Sequence, residues 1–424
     1  MRRTLYVLLF AVIPLSMWHI HILKFTEPIS HDGAFPWTHV DSLAVWEGSR
    51  MILHRVNPYS ASAIEHIQSA YYGRPVTPRE ARLGVNPMWF AYPPQTAFTC
   101  VWLALLPWKV ASLLTFLASA VLIVSGARSW LRAVGKCDLL ILACVMASWP
   151  ALWGIRLENL SMIVIPTIFI AATLYLRGRL IPAALLMAAV TMKPQLCWLL
   201  IVWMLADSLT RRKWRFAASF VGSVVILAAL SEIWLPGCFS AWLGALSEYR
   251  ASTHVAIAML PVALAACALA IPALYQLRCD GATSIALVLA ANVTLCPSDP
   301  WVVYNYLLLL PSCLLILRQK GIFDLIAKGF LVLEYLFPVA AGLGDIAVSG
   351  RVSYFGAPGL NLLLPASLVM AVSVRHLKVR IAPPHHPVAV FPTAIEAVIF
   401  DCADAVSTPS QGAAPLDSPA PKEA

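Results

Sequence analysis

Charged side chains are scarce in this chain. They make up 12% of its 424 residues, against the roughly 25% usual in a soluble domain. Acids are the rarer sign, 21 against 30 Lys and Arg. With 60% hydrophobic residues and a mean hydropathy of +0.77, that scarcity excludes an ordinary soluble globular protein. The net charge of +9 does not point to nucleic acid, because the cations sit in short clusters between apolar runs, which is how a membrane protein sets its orientation. No Cys-x-x-Cys pair occurs among the ten cysteines. They are scattered, mostly within apolar segments (Cys100, Cys144, Cys197, Cys267), which argues against a disulfide framework and against zinc. No small-x-small cleavage site follows the first apolar run, so residues 1–24 read as an uncleaved first transmembrane helix that starts in the cytoplasm. No repeat of solenoid or transporter type is visible.

The chain is built from one long polar passage and many apolar ones. Residues 25–93 form an external loop, the place where a membrane protein has room for chemistry in water. Asp41 to Arg55 puts Leu43, Trp46 and Ile52/Leu53 on one stripe, predicting a helix that lies along the membrane or the bundle. Ser62-Ala-Ile-Glu65 has the form of a capping box opening a second helix that ends near Gly73. Between them Asn57-Pro58-Tyr59 is an extended or turn segment, since Pro58 pushes Asn57 out of helical space.

Residues 94–376 form the transmembrane bundle, with apolar segments at 94–106, 109–127, 138–155, 160–176, 180–192, 195–208, 216–235, 257–277, 283–297, 301–317, 329–345 and 357–374. The basic clusters Arg128/Arg132/Lys136, Arg177/Arg179, Arg211/Arg212/Lys213/Arg215, Arg318/Lys320/Lys328 and Arg375/Lys378/Arg380 belong inside, with Arg2, Arg3 and Arg278. The opposite connections carry only Arg156, Lys193, Arg250 and Arg351. Only one net crossing then fits between Tyr92 and Arg128, so 94–106 is interfacial or re-entrant. The total is about twelve crossings, an all-α polytopic fold with both termini cytoplasmic. Segment 180–208 goes out and back around Met192-Lys193-Pro194, with arms short against the ~20 residues of a full span. A turn at that depth is tolerated where protein covers it or where it lines a wet cavity. The Arg156–Asn159 and Pro297–Trp301 turns reach the same face, so three polar turns converge beneath the long loop. The tail, 377–424, is rich in Pro, Ala and Ser and reads as disordered and cytoplasmic.

Individual residues admit two readings each. Asp41 is either a helix N-terminal residue, closing a Thr38-His-Val-Asp41 capping box, or a functional carboxylate. Asp32 precedes Gly33 and suits a turn. His31, Asp32, His39 and Asp41 have ligand-like chemistry, but in an interfacial loop they read as surface and cap residues, and no metal is expected. Lys193 either snorkels to the interface or serves an anionic group. Arg156 and Glu158 could pair at a helix end. Asn57, Tyr59 and Tyr92 are turn and interface anchors or pocket-lining groups, and Trp301 and Tyr304 belt or groove residues.

The order Asp41…Trp46-Glu-Gly…Asn57-Pro-Tyr59, Phe90-Ala-Tyr92-Pro-Pro94, Asn159, Lys193-Pro194 and Trp301-x-x-Tyr304 resembles glycosyltransferase family 87 over roughly residues 35–320. The chain departs from the family pattern in two places: Arg156-Leu157-Glu158-Asn159 stands where Gly-Gln-x-Asn is common, and Val303 where a His is often found. The resemblance implies an integral-membrane enzyme of the GT-C fold, in a bacterial inner membrane with its active side facing out. It implies inverting transfer of a hexose, mannose by default, from a polyprenyl-phosphate donor to a glycolipid or glycan hydroxyl. No cofactor is expected, the lipid-linked sugar being a substrate. Asp41 occupies the position of the family's catalytic base. Lys193, with Arg156 in reserve, would serve the departing phosphate, and Asn159, Asn57, Tyr59, Tyr92, Trp301 and Tyr304 would line the substrate sites. Partners are then the lipid donor, the acceptor and membrane lipids, with no nucleic acid. A transporter or flippase, and a polysaccharide ligase or polymerase using a diphosphate-linked donor, are the competing readings.

Overall fold

The computed structural model describes residues 40–77, 79–80, 88–135, 139–252, 268, 270, 281–296, 300–317, 319–333 and 360–381. The expected first helix, Asp32, His31 and His39, most of segments 257–277 and 329–345, and the tail beyond residue 381 lie outside them. The chain divides into Met1–Arg380 and Ile381–Ala424, and the bundle with the loop that covers it belongs to the first unit. Among the described residues every regular element is a helix.

The polar passage supplies α1 (Ser42–Leu53) and α2 (Ala61–Tyr72). Helix α1 does more than lie along the bundle. Val45, Trp46, Gly48 and Ile52 are all buried, so it is embedded. Gly48 permits this, because a methyl group there would overlap the Phe90 ring. Helix α2 ends as its sequence predicts, at Gly73 in the left-handed conformation (φ 73°). Its start differs from the Ser62 box. Ser60 is the N-cap, and its hydroxyl accepts from the Ala63 amide at 3.3 Å. The Asn57–Tyr59 turn causes the difference: Asn57 Oδ1 accepts from Tyr59 N at 3.0 Å, delivering Ser60 in extended backbone, the geometry a cap needs.

Segment 94–106 breaks into α3 (Thr96–Thr99) and α4 (Val101–Ala104), each too short to cross a bilayer. The bundle then runs through α5 (Trp108–Ala133), α6 (Leu139–Ala147), α7 (Trp149–Arg156), α8 (Ser161–Leu176), α9 (Leu180–Ala189), α10 (Trp198–Thr210), α11 (Trp214–Trp234), α12 (Cys238–Ser252), α13 (Gly281–Leu295), a 3-10 stretch Pro300–Leu309, α14 (Leu310–Ile316) and α15 (Leu360–Ile381). Of these, α5 and α11 are long and apolar enough to span a membrane, and the α6–α7 pair joins them if its 51° bend is counted as one broken span. The other described segments are shorter apolar helices, so twelve full-length crossings are not what the described residues contain. The last helix also continues past the expected boundary at residue 376. Helices α5 and α8 approach closely because Gly126 has no side chain; a Cβ there would stand 2.6 Å from the Pro166 Cα.

Helix α12 has no counterpart among the predicted segments. Through Trp242 and Ala245, and with Leu235 at the end of α11, it covers the loop, forming a small apolar cluster with Ile52, Tyr59, Ile67 and Phe90. Three indole N–H groups rivet loop to bundle: Trp46 donates to the Leu106 carbonyl at 2.9 Å, Trp234 to Ile52 at 2.8 Å and Trp242 to Ala91 at 3.2 Å. A partly buried indole needs an acceptor, and here the backbone provides it.

The two ends of α8 differ in chemistry. At its C-terminal end the Tyr175 hydroxyl donates to Asp207 Oδ2 at 2.6 Å, and Lys213 and Arg211 reach the same carboxylate at 3.0 and 2.7 Å. At its N-terminal end Ser161 meets Lys193 and Asn305. The basic Arg177–Lys213 region and the turns that carry Asn159 and Lys193 therefore lie at opposite ends of one helix, while residues 297–299 of the third expected turn lie outside the described ones.

Candidate active site

Asp41 is the N-cap residue of α1, yet its side chain makes no capping bond to its own helix. Its backbone N–H donates to the Leu157 carbonyl at 2.7 Å. Its Oδ2 accepts instead from Asn159 Nδ2 at 2.6 Å, across 118 positions of sequence. Thr38, the other end of the expected capping box, lies outside the described residues.

Asn159 is the hub of the site. It is buried in the turn between α7 and α8, and all its amide valences are used. Nδ2 donates to Asp41 and, at 2.8 Å, to the Tyr304 hydroxyl. Oδ1 accepts from Lys193 Nζ at 2.7 Å and from the Ser161 backbone N–H at 2.9 Å. The Ser161 amide can only donate, which fixes the orientation of the Asn159 side chain without appeal to the rest of the network.

Lys193 sits in the break between α9 and α10, where two 3-10 turns, Val190–Met192 and Pro194–Leu196, flank it. Proline after Lys193 removes a backbone donor and stops the helix there. Its ammonium is buried, donates to Asn159 and to Ser161 Oγ at 2.6 Å, and lies 5.3 Å from the centre of the Tyr304 ring. Burial pulls its pKa from the usual 10.5 down to about 8, with the Asp41 charge opposing the shift. A carboxylate and an ammonium are therefore joined through one neutral amide, which donates to the first and accepts from the second.

Matched against known families, the chain fits the family model of Glycosyltransferase family 87 over residues 90–315. That span covers more than half of the chain and includes Tyr92, Asn159, Lys193 and Tyr304. The chain belongs to glycosyltransferase family 87. With its apolar helices, it is a membrane glycosyltransferase. Neither a curated protein nor a solved structure matches it.

In this family 87 chain the structure brings together Asp41, Asn159, Lys193 and Tyr304 out of the residues singled out from sequence. Arg156 sits one turn away, its guanidinium 4.9 Å from the centre of the Trp153 ring. Asn57, Tyr59 and Tyr92 form a second group that holds the loop in shape: Asn57 Oδ1 caps the turn, and the Tyr59 hydroxyl donates to the Tyr92 carbonyl at 2.7 Å. The backbone of Trp301 lies in the 3-10 stretch, and its side chain is outside the described ones. Among the described residues no three of His, Cys, Asp and Glu gather as metal ligands.

Several residues of the site escape a reading of the sequence. Ser161 and Asn305 complete the Lys193 shell, with Ser161 Oγ donating to Asn305 Oδ1 at 3.1 Å. Their only signal is position, two residues after Asn159 and one after Tyr304. Tyr71 and Tyr72 close α2 on the Asp41 side: burial first and the Asp41 charge second push both phenols above their ordinary range.

Proposed function

We propose that this chain transfers a hexose, mannose first, from a polyprenyl-phosphate donor to a hydroxyl of a glycolipid or glycan, with inversion at the anomeric carbon. The reaction belongs on the outer side of a bacterial inner membrane, in a GT-C-type bundle roofed by the 25–93 loop. The acceptor oxygen attacks the anomeric carbon as its proton passes to Asp41, and the bond from that carbon to the phosphate oxygen breaks. The departing polyprenyl phosphate is already a good leaving group and needs a cation more than an acid. Lys193 has two of its three N–H donors on Asn159 and Ser161, which leaves one for a phosphate oxygen, with Arg156 as a second cation. Asn159, Tyr304 and Trp301 would line the donor site, and the loop that Asn57, Tyr59 and Tyr92 hold in shape would line the acceptor site. No cofactor enters, because the sugar arrives activated on its lipid.

The observation that carries this reading is the Asp41 carboxylate itself. It is excused from capping α1 and held by Asn159 between a polar loop and the Lys193 break. The test is consumption of labelled donors by membranes containing the protein. Polyprenyl-phosphate hexoses should be consumed and diphosphate-linked glycans should not; the reverse preference would indicate a ligase or polymerase. Undiminished movement of lipid cargo by Asp41→Asn in proteoliposomes, without any sugar transfer by the wild type, would indicate a flippase.

A further inference from the structure

We infer that Glu158 is a positioning residue that sets the place of the base, an inference that rests on Asp41 being that base. Glu158 is completely buried. Both of its carboxylate oxygens are engaged by serine hydroxyls: Ser42 donates to Oε2 at 2.7 Å, and Ser112 donates to Oε1 at 2.7 Å. Ser42 is the first residue of α1 and directly follows Asp41; Ser112 lies near the start of α5. One buried carboxylate thus ties the helix that carries the base to the bundle.

The arrangement is more specific than a packing contact. Three consecutive residues read two consecutive ones. The Leu157 carbonyl takes the Asp41 N–H, the Glu158 carboxylate takes the Ser42 hydroxyl, and the Asn159 amide takes the Asp41 carboxylate. Backbone, neighbour and side chain of the base are each fixed from the same turn. Glu158 achieves this in left-handed backbone, φ 49°, a conformation that disfavours a residue with a Cβ and is kept only where the surroundings over-determine it. An apolar side chain would fill the same space without the cost of desolvating a carboxylate. What a carboxylate adds is two acceptors in fixed directions, one toward α1 and one toward α5.

Two serines make the idea testable, because each removes one arm. Full-length protein in detergent is assayed with radiolabelled polyprenyl-phosphate mannose, glucose and galactose and a membrane glycolipid extract, and thermal midpoints are recorded alongside. Ser42→Ala and Glu158→Ala should lower turnover on the order of 10- to 100-fold, the cost of a base displaced by up to about 1 Å, with KM for the donor unchanged. Glu158→Gln should restore most of the turnover, since its amide can accept from one serine and donate to the other. Ser112→Ala should lower the thermal midpoint and leave turnover in place. Wild-type turnover in Ser42→Ala and Glu158→Ala would overturn the inference, as would equal loss of turnover in Ser42→Ala and Ser112→Ala that follows the thermal midpoint. Asp41→Asn separates the two levels. If it abolishes transfer while Ser42→Ala does not, only the positioning role falls; if it transfers normally, or the wild type consumes none of the donors, the proposed function falls and this role with it.

Discussion

Asn159 has four hydrogen bonds and no unused valence on its side-chain amide. No other side chain of that length offers two donors on one arm and two acceptors on the other. Asn159→Asp replaces the donating arm with a second carboxylate facing Asp41, and Asn159→Ala leaves Asp41 and Lys193 without their shared partner. Both should reduce transfer by roughly 10²-fold or more, measured as initial rate at saturating donor, with Asn159→Asp the worse of the two. Lys193 gives a pH signature. Its ammonium in the folded protein loses its proton near 8, whereas a lysine in the unfolded chain keeps it to about 10.4. Transfer should therefore decline on the alkaline side through about pH 8. Between 8 and the unfolded value the unfolded chain binds the extra proton, so stability should rise with pH over the window in which activity is lost. A parallel fall of the thermal midpoint and the rate would contradict this assignment. Asp41, Asn159, Lys193 and Tyr304 are all visible as residues in the sequence because each is polar in an apolar or loop setting. Glu158 is visible too, but reads only as a partner for Arg156. Its bonds to Ser42 and Ser112 span 116 and 46 positions, and no local pattern encodes such pairings.

Helix boundaries in this chain follow local chemistry where that chemistry is strong. Gly73 ends α2 and Pro194 interrupts the α9–α10 passage, both as the sequence states. Where two local signals compete, the turn before the helix decides. The Ser62 box loses to Ser60 because the Asn57 turn presents Ser60 first. Ser60→Ala should accordingly destabilise the protein by about 1 kcal/mol, and Ser62→Ala should not, as read from thermal or denaturant midpoints. Helix α12 is not legible because Cys238–Ser252 mixes Gly, Ser and charge among apolar residues and has neither a spanning run nor a clean stripe. Its reason to fold is the loop it covers. Gly48 tests how tightly that loop is embedded. Gly48→Ala drives a methyl into Phe90 and should cost about 1–3 kcal/mol, with part of the loss regained when Phe90 is shortened to Leu.

At the scale of the molecule, the bundle has a basic end and an end that holds the candidate site, set at the two termini of α8. Charge distribution alone suggests which turns share a side, and the Tyr175–Asp207–Lys213 and Asn159–Lys193–Asp41 groups fall accordingly. Full crossing lengths are less legible, because apolar segments count residues and cannot show where 3-10 turns and bends shorten them. If the basic end faces the cytoplasm, a reporter placed after Lys193 should read outside and one placed after Arg212 inside. A cytoplasmic signal after Lys193 would put the site on the wrong face of the membrane. Everything about the function converges on whether the carboxylate at the head of α1 takes the acceptor's proton. The most direct measurement is the rate of sugar transfer from labelled polyprenyl-phosphate hexose by Asp41→Asn against wild type, at matched folding by thermal midpoint. Transfer should be lost in the variant while the protein stays folded and still binds donor; transfer at the wild-type rate would contradict the account.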